Sequence, residues 1–106
     1  VLIEYDGIQH FKISKRFHGG SDDEFVRKQQ VDIAKTMDAI INGYVIIRID
    51  HNITLVDEIE TQLSRALRCA HDYDILVSSD LYEEHIREVI NNMGYDLSVG
   101  CIGSLI

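Results

Sequence analysis

The chain has no proline, only two cysteines, and ten lysines and arginines against 18 aspartates and glutamates. With no proline and 45% apolar residues, it has the composition of a packed α/β domain, not of a disordered tail. Cys69 and Cys101 lie far apart and neither has a C-x-x-C companion, which disfavours a zinc site or a disulfide framework and points to reduced thiols. An intracellular setting, cytoplasmic or nuclear, is the expectation that follows. No apolar run approaches the roughly 20 residues that span a bilayer, and no segment reads as a signal peptide. A membrane partner is therefore not expected. The net charge of −8 opposes nonspecific attraction to nucleic acid, although a small domain can gather its few cations on one face. Internal repeats and low-complexity linkers are missing too, and 106 residues suit one domain with its own core.

What is present is most concentrated at the start, in V-L-I-E-Y-D-G-I-Q-H-F, Val1 to Phe11. Val1, Leu2 and Ile3 read as a buried strand, and Glu4 and Asp6, two apart, then share one of its faces. Two carboxylates on one buried face repel, so a cation or a proton must resolve the conflict, and a divalent metal does so most economically; the other reading is a strand at the sheet edge with both carboxylates solvated. Gly7 permits a turn or a close backbone approach, and Gln9 and His10 follow just past the strand end. Lys12, Lys15, Arg16 and His18 lead on to Gly19-Gly20 as the most concentrated basic stretch, either a grip for a phosphate backbone or a solvated loop.

Ser21, Asp22 and Asp23 suit a helix start, and Val26, Ile33, Met37, Ile40 and Ile41 recur at helical spacing, which predicts a helix from about Asp23 to Asn42 that Gly43 stops. Lys28, Asp32 and Lys35 share its polar face. Tyr44 to Ile49 reads as a strand buried on both faces, interrupted by Arg48, which calls for a carboxylate partner from Glu4, Asp6 or Asp32 or else for a phosphate. Thr54 with Asp57 predicts a capping box for a second helix running to Cys69 or Ala70. A short strand is expected at Ile75 to Val77. A third helix, capped by Asp80 with Glu83 and ended by Gly94, leads to a strand over Tyr95 to Val99. The order β-α-β-α-β-α-β predicts a layered α/β domain with at least part of its sheet parallel.

The ordered set I-E-Y-D-G-I-Q-H-F, Asp32-x-x-Lys35 and Gly43-x-x-x-x-Arg48-Ile49 resembles the PD-(D/E)XK, or restriction-endonuclease-like, nuclease superfamily. The similarity is to its short-patch-repair-like and phage homing-endonuclease-like branches, which also suggests a viral or phage origin. The resemblance covers residues 1–53 as a nuclease-like core segment, with 54–106 as a C-terminal α/β extension packed on the same domain. The family core is a helix, a meander of three strands, a helix and a fourth strand. Val1 to Ile49 would match its third strand, the next helix and the fourth strand, while the earlier helix and two strands have no counterpart. The family's first acidic ligand usually sits on the second of those strands.

The resemblance implies hydrolysis of DNA phosphodiester bonds with Mg2+ or Mn2+ held by Glu4 and Asp6. Asp6 stands where the family more often has lysine, so Lys35 would be the displaced lysine, oriented by Asp32. Gln9 and His10 would position water or phosphate, or His10 would act as general base. Lys12, Lys15, Arg16 and Arg48 are the candidate nucleic-acid contacts. His18, His51, His71 and His85 show no metal-ligand spacing and are expected at the surface or in packing. Two other functions fit the sequence: a catalytically silent nuclease-like module that binds nucleic acid or protein, and an α/β protein-interaction domain. Because Val1 falls in what reads as mid-strand, a fragment is expected, completed by a homodimer or by the remainder of a larger parent chain.

Overall fold

The structure is a computed structural model that describes residues 1–8, 11 and 22–104. Four strands, β1 (Leu2–Asp6), β2 (Ile46–Asp50), β3 (Ile75–Val77) and β4 (Val99–Cys101), alternate with three helices, α1 (Asp22–Ile41), α2 (Val56–Cys69) and α3 (Glu83–Met93). The strands form one sheet in the order β1-β2-β3-β4, and every neighbouring pair is parallel. The expected layered α/β architecture is present, with the sheet drawing two strands from each half of the chain.

Each face of the sheet has its own apolar layer. Ile46, Ile75 and Val77 pack under Ile33, Met37 and Ala39 of α1 and Ile86 and Val89 of α3. The intervening residues Ile47, Ile49 and Leu76 point the other way, toward Ile59, Leu63 and Ala66 of α2. This alternation is the period-two geometry of a strand covered on both faces, and all five residues of β2 are buried. Because consecutive strands are neighbours, each helix is a crossover between adjacent parallel strands. The hand of such a crossover depends on the face it passes over. With α1 and α3 on one face and α2 on the other, the α2 connection has the opposite hand to the two that flank it.

The helix stops follow the sequence expectation. Gly43 and Gly94 both take left-handed backbone, with φ of 83° and 79°, and the Gly94 amide bonds the Ile90 carbonyl at 2.9 Å. Three other expectations are corrected. The capping box at Thr54 does not form, because α2 starts after Leu55 and has no side-chain cap; its dipole is met instead by Asp57 and Glu58 in the first turn. Ser79, not Asp80, caps the next element, its side chain accepting from the Leu81 amide, because a 3-10 turn over Asp80–Tyr82 precedes α3. The last strand is Val99–Cys101, later than Tyr95 to Val99.

The character of β1 is also corrected. It was expected to be buried, but it is the margin of the sheet, and Leu2, Ile3 and Tyr5 are 43%, 50% and 51% exposed. Only Asp6, at its carboxyl end, is buried.

Gly100 of β4 sits where a side chain has no room. A Cβ there would lie 2.7 Å from a Leu76 methyl and 2.8 Å from the Tyr73 ring. Gly100→Ala is expected to destabilise the fold by about 1–3 kcal/mol, the usual cost of overpacking. Gly103→Ala, which meets nothing within 4 Å, should leave the urea midpoint nearly unchanged.

Candidate functional site

The carboxyl end of the sheet collects polar side chains from both halves of the chain. Arg48, in the middle of β2, is 1% exposed, and its Nη1 donates to both Asp6 oxygens at 2.8 and 2.9 Å. Tyr82, buried just before α3, donates its hydroxyl to Asp6 Oδ2 at 2.8 Å. Two donors, Arg48 Nη1 and the Tyr82 hydroxyl, thus make three hydrogen bonds to one buried carboxylate, which is what the burial of a charge requires. The second guanidinium nitrogen, Nη2, donates to Thr36 Oγ1 at 3.2 Å and lies 3.8 Å from Asp32 Oδ1, both on α1. Arg48 Nε is buried with no hydrogen-bond partner among the described residues.

Thr36 ties this centre to α3. Its Oγ1 donates to the Asp32 carbonyl at 3.2 Å and lies 2.9 Å from His85 Nε2. The Tyr82 phenol is pushed well above its ordinary range by burial, and then by the negative charge and hydrogen bond of Asp6. It stays protonated and a donor at any pH at which the protein works.

These groups line a cavity of about 350 Å³ between α1 and α3. Asp6, Asp32 and Arg48 form part of its wall, with Gln29, Tyr82 and His85. Glu84 and Glu88 of α3 add negative charge, and Phe11, Ile33 and Leu81 add apolar surface. Phe11 meets the Tyr82 ring edge-on at 5.2 Å and the His51 ring at 5.5 Å.

The structure divides the residues singled out in the sequence. Asp6, Asp32 and Arg48 converge. Glu4 shares a strand face with Asp6 but lines a separate groove of about 280 Å³ with Lys35, Asp38 and Asn42. Its Oε1 lies 3.8 Å from Lys35 Nζ, both side chains being partly exposed, so this pair contributes little to stability. The repulsion expected between Glu4 and Asp6 is thus relieved by two different cations, Lys35 and Arg48. Of the alternatives for Arg48, the carboxylate partner is the one observed. Gln9, His10, Lys12, Lys15 and Arg16 lie outside the described residues.

Sequence reasoning missed Tyr82, Thr36 and His85, the last of which was assigned to surface or packing. Thr36 alone left a trace: it stands four residues after Asp32, on a face that α1 otherwise fills with Ile33, Met37 and Ile40. A second polar knot was also unforeseen. Asp50, the register partner of Asp6, is 1% exposed and accepts from Ser78 Oγ at 2.5 Å, Ser79 Oγ at 2.8 Å and the Asn52 amide at 2.9 Å. Burial alone would raise its pKa, but the bonds from Ser78, Asn52 and Ser79, with His51 nearby, lower it overall.

Among the described residues, no three acidic, histidine or cysteine side chains are placed to hold a metal ion together. Asp6 and Asp32 both line the pocket with hard carboxylate oxygens. Magnesium, which keeps several waters and binds through one or two carboxylates and substrate phosphate, suits a set of that kind. Comparison of the chain with protein-family models, with curated proteins and with solved structures yields no match.

Two predictions test this chemistry. Arg48→Met is expected to cost about 3–5 kcal/mol, because it leaves Asp6 buried without its cation. The double variant Arg48→Met/Asp6→Asn should recover part of that loss in chemical denaturation. Asp50 has a folded pKa below its ordinary 3.8, so its contribution is complete above that value and is lost as pH falls through the folded pKa. Asp50→Asn should therefore be less stable than wild type at pH 6, with the difference shrinking as the pH is taken below 3.8.

Proposed function

We propose that the chain is a metal-dependent DNA endonuclease domain that hydrolyses phosphodiester bonds. The observation that carries this reading is the convergence of Asp6 and Asp32 on the buried guanidinium of Arg48, in a pocket at the carboxyl end of a parallel sheet. Crevices at that end of open α/β sheets are where such folds place their ligands. The motif that first suggested a nuclease contributes Asp6, Asp32 and Arg48 from three separate stretches, and all three meet in the pocket.

In this reading Asp6 and Asp32 hold magnesium or manganese. Arg48 holds Asp6 in place, while Tyr82, Thr36 and His85 fix the arginine and its carboxylate. The metal, when bound, would supply an activated water and relief of charge on the phosphorane. Lys35, in the adjoining groove beside Glu4, would be the cation that meets the phosphate, and Gln9, His10, Lys12, Lys15 and Arg16 lie in the sequence between β1 and α1. The partner is DNA, bound despite the net charge of −8 because the metal offsets negative charge locally.

One observation favours a second reading, a catalytically silent module. Asp6 already accepts three hydrogen bonds from Arg48 and Tyr82, and a metal must compete with them.

Thermal melts and cleavage assays separate the two. In the nuclease reading, millimolar manganese raises the melting temperature by mass action, roughly 4–8 °C for each kcal/mol of binding. Asp6→Asn and Asp32→Asn remove that rise and abolish nicking of plasmid DNA. Lys35→Ala keeps its helical signal and loses on the order of a hundredfold in rate. A melting curve unmoved by manganese, together with intact plasmid, would leave the silent module standing.

A further inference from the structure

We infer that the outer edge of β1 is a docking site for an extended strand of a partner polypeptide in which apolar and basic residues alternate. The inference does not depend on the nuclease reading: it uses the outward backbone of β1 and the groove of Glu4 and Lys35, and none of Asp6, Asp32 and Arg48.

The backbone sets the geometry. The Leu2 amide donates inward to the Val45 carbonyl at 2.8 Å. Alternate residues of a strand aim their amides and carbonyls to opposite sides, so Leu2, Glu4 and Asp6 face β2 while Ile3 and Tyr5 present theirs outward. No strand among the described residues lies on that side. Natural edges are blunted by charged side chains, above all lysine, by proline, a bulge, extreme shortness or a covering segment. The opposite margin is blunted in this way, since β4 has three residues and runs straight into a 3-10 turn. β1 has five residues, with no lysine or proline among them, and its two charges are turned to cations of the same chain, Glu4 to Lys35 and Asp6 to Arg48.

The side chains select the occupant. On one face of the edge Ile3 and Tyr5 are half exposed, and the Tyr5 hydroxyl bonds the Ile53 carbonyl at 2.9 Å. That contact brings Tyr5 beside a segment whose Leu55 and Val56 are 63% and 69% exposed, so an added strand would find apolar cover there. On the other face it would run along the groove of Leu2, Glu4, Lys35 and Asp38, where two carboxylates face one ammonium and favour a basic side chain. Charge also argues against a second copy of the chain. Antiparallel pairing of two β1 edges would bring Glu4 of each copy onto one face of a short ribbon, between chains that each carry −8. Strand addition of this kind takes affinity from main-chain bonds and specificity from alternate side chains.

The test uses isotope-labelled chain and an end-blocked decapeptide of alternating valine and lysine, read by amide hydrogen exchange. Saturating peptide is expected to slow exchange at Ile3 and Tyr5 at least tenfold. Ile3→Thr, which keeps the outward amide but sheds apolar surface, should weaken binding only a few-fold and keep the protection at Tyr5. Ile3→Pro, which deletes that amide without touching a bond to β2, should lose the protection at Tyr5. Glu4→Lys should weaken binding about tenfold; it and Ile3→Thr decide the matter if the proline variant fails to fold. The inference is overturned if millimolar peptide leaves Ile3 and Tyr5 unprotected, or if Ile3→Pro folds and retains the Tyr5 protection. It is equally overturned if the chain alone is a dimer in which both amides are already protected, because a second copy then holds the edge.

Discussion

A buried ion pair organises this molecule. Arg48 has no access to water from the middle of β2, so its charge must be met from within. Asp6 meets it with both oxygens, and Asp32 and Thr36 with one atom each. This pair sets how β1 is used. Register places Glu4, not Asp6, beside Arg48, yet the guanidinium reaches toward the strand end. A shift of β1 by one residue would turn Asp6 to the opposite face of the sheet and strand the arginine. At a sheet margin whose other residues are half exposed, hydrophobic burial alone would specify register weakly, and the ion pair supplies the missing constraint. Buried ion pairs are weak evidence for stability, but fixing register is the use best attested for them.

Much of the fold could be read from local chemistry. The glycines that end α1 and α3 stand where left-handed backbone is needed, and the β-branched run around Ile46 to Ile49 announces a strand covered on both faces. The position of β1 could not be read in this way, because Val-Leu-Ile looks the same in a central strand and in a marginal one, and only the strand order distinguishes them. Cap positions were off by a residue or two for a similar reason. Thr54 and Asp80 have the right chemistry, but Leu55 and Ser79 are where the chain turns.

The site was half legible. That Arg48 needed a carboxylate follows from its surroundings in the sequence, and the three candidates were named. Which of them would be chosen depended on the approach of α1 and α3, a tertiary fact. Tyr82 and His85 come from a part of the chain with no motif, 76 residues from Asp6 and 49 from Thr36 along the sequence. Nothing local marks them. Asp50 shows the same limit: a residue that reads as part of a turn is held by serines beyond the next strand.

The mixed hand of the crossovers bears directly on whether a pocket can exist. The sheet runs β1-β2-β3-β4, so α1 spans the first gap between strands, α2 the second and α3 the third. Had α2 crossed on the same face as its neighbours, it would occupy the position between α1 and α3. Its bulk would then fill the space where Tyr82 reaches Asp6 and His85 reaches Thr36, and the carboxyl end of the sheet would be roofed by three helices in a row. With α2 beneath the sheet, α1 and α3 pack directly against each other, and the pocket is the space left between them above the carboxyl end of the sheet. The cavity exists because two helices meet where a third does not come between them.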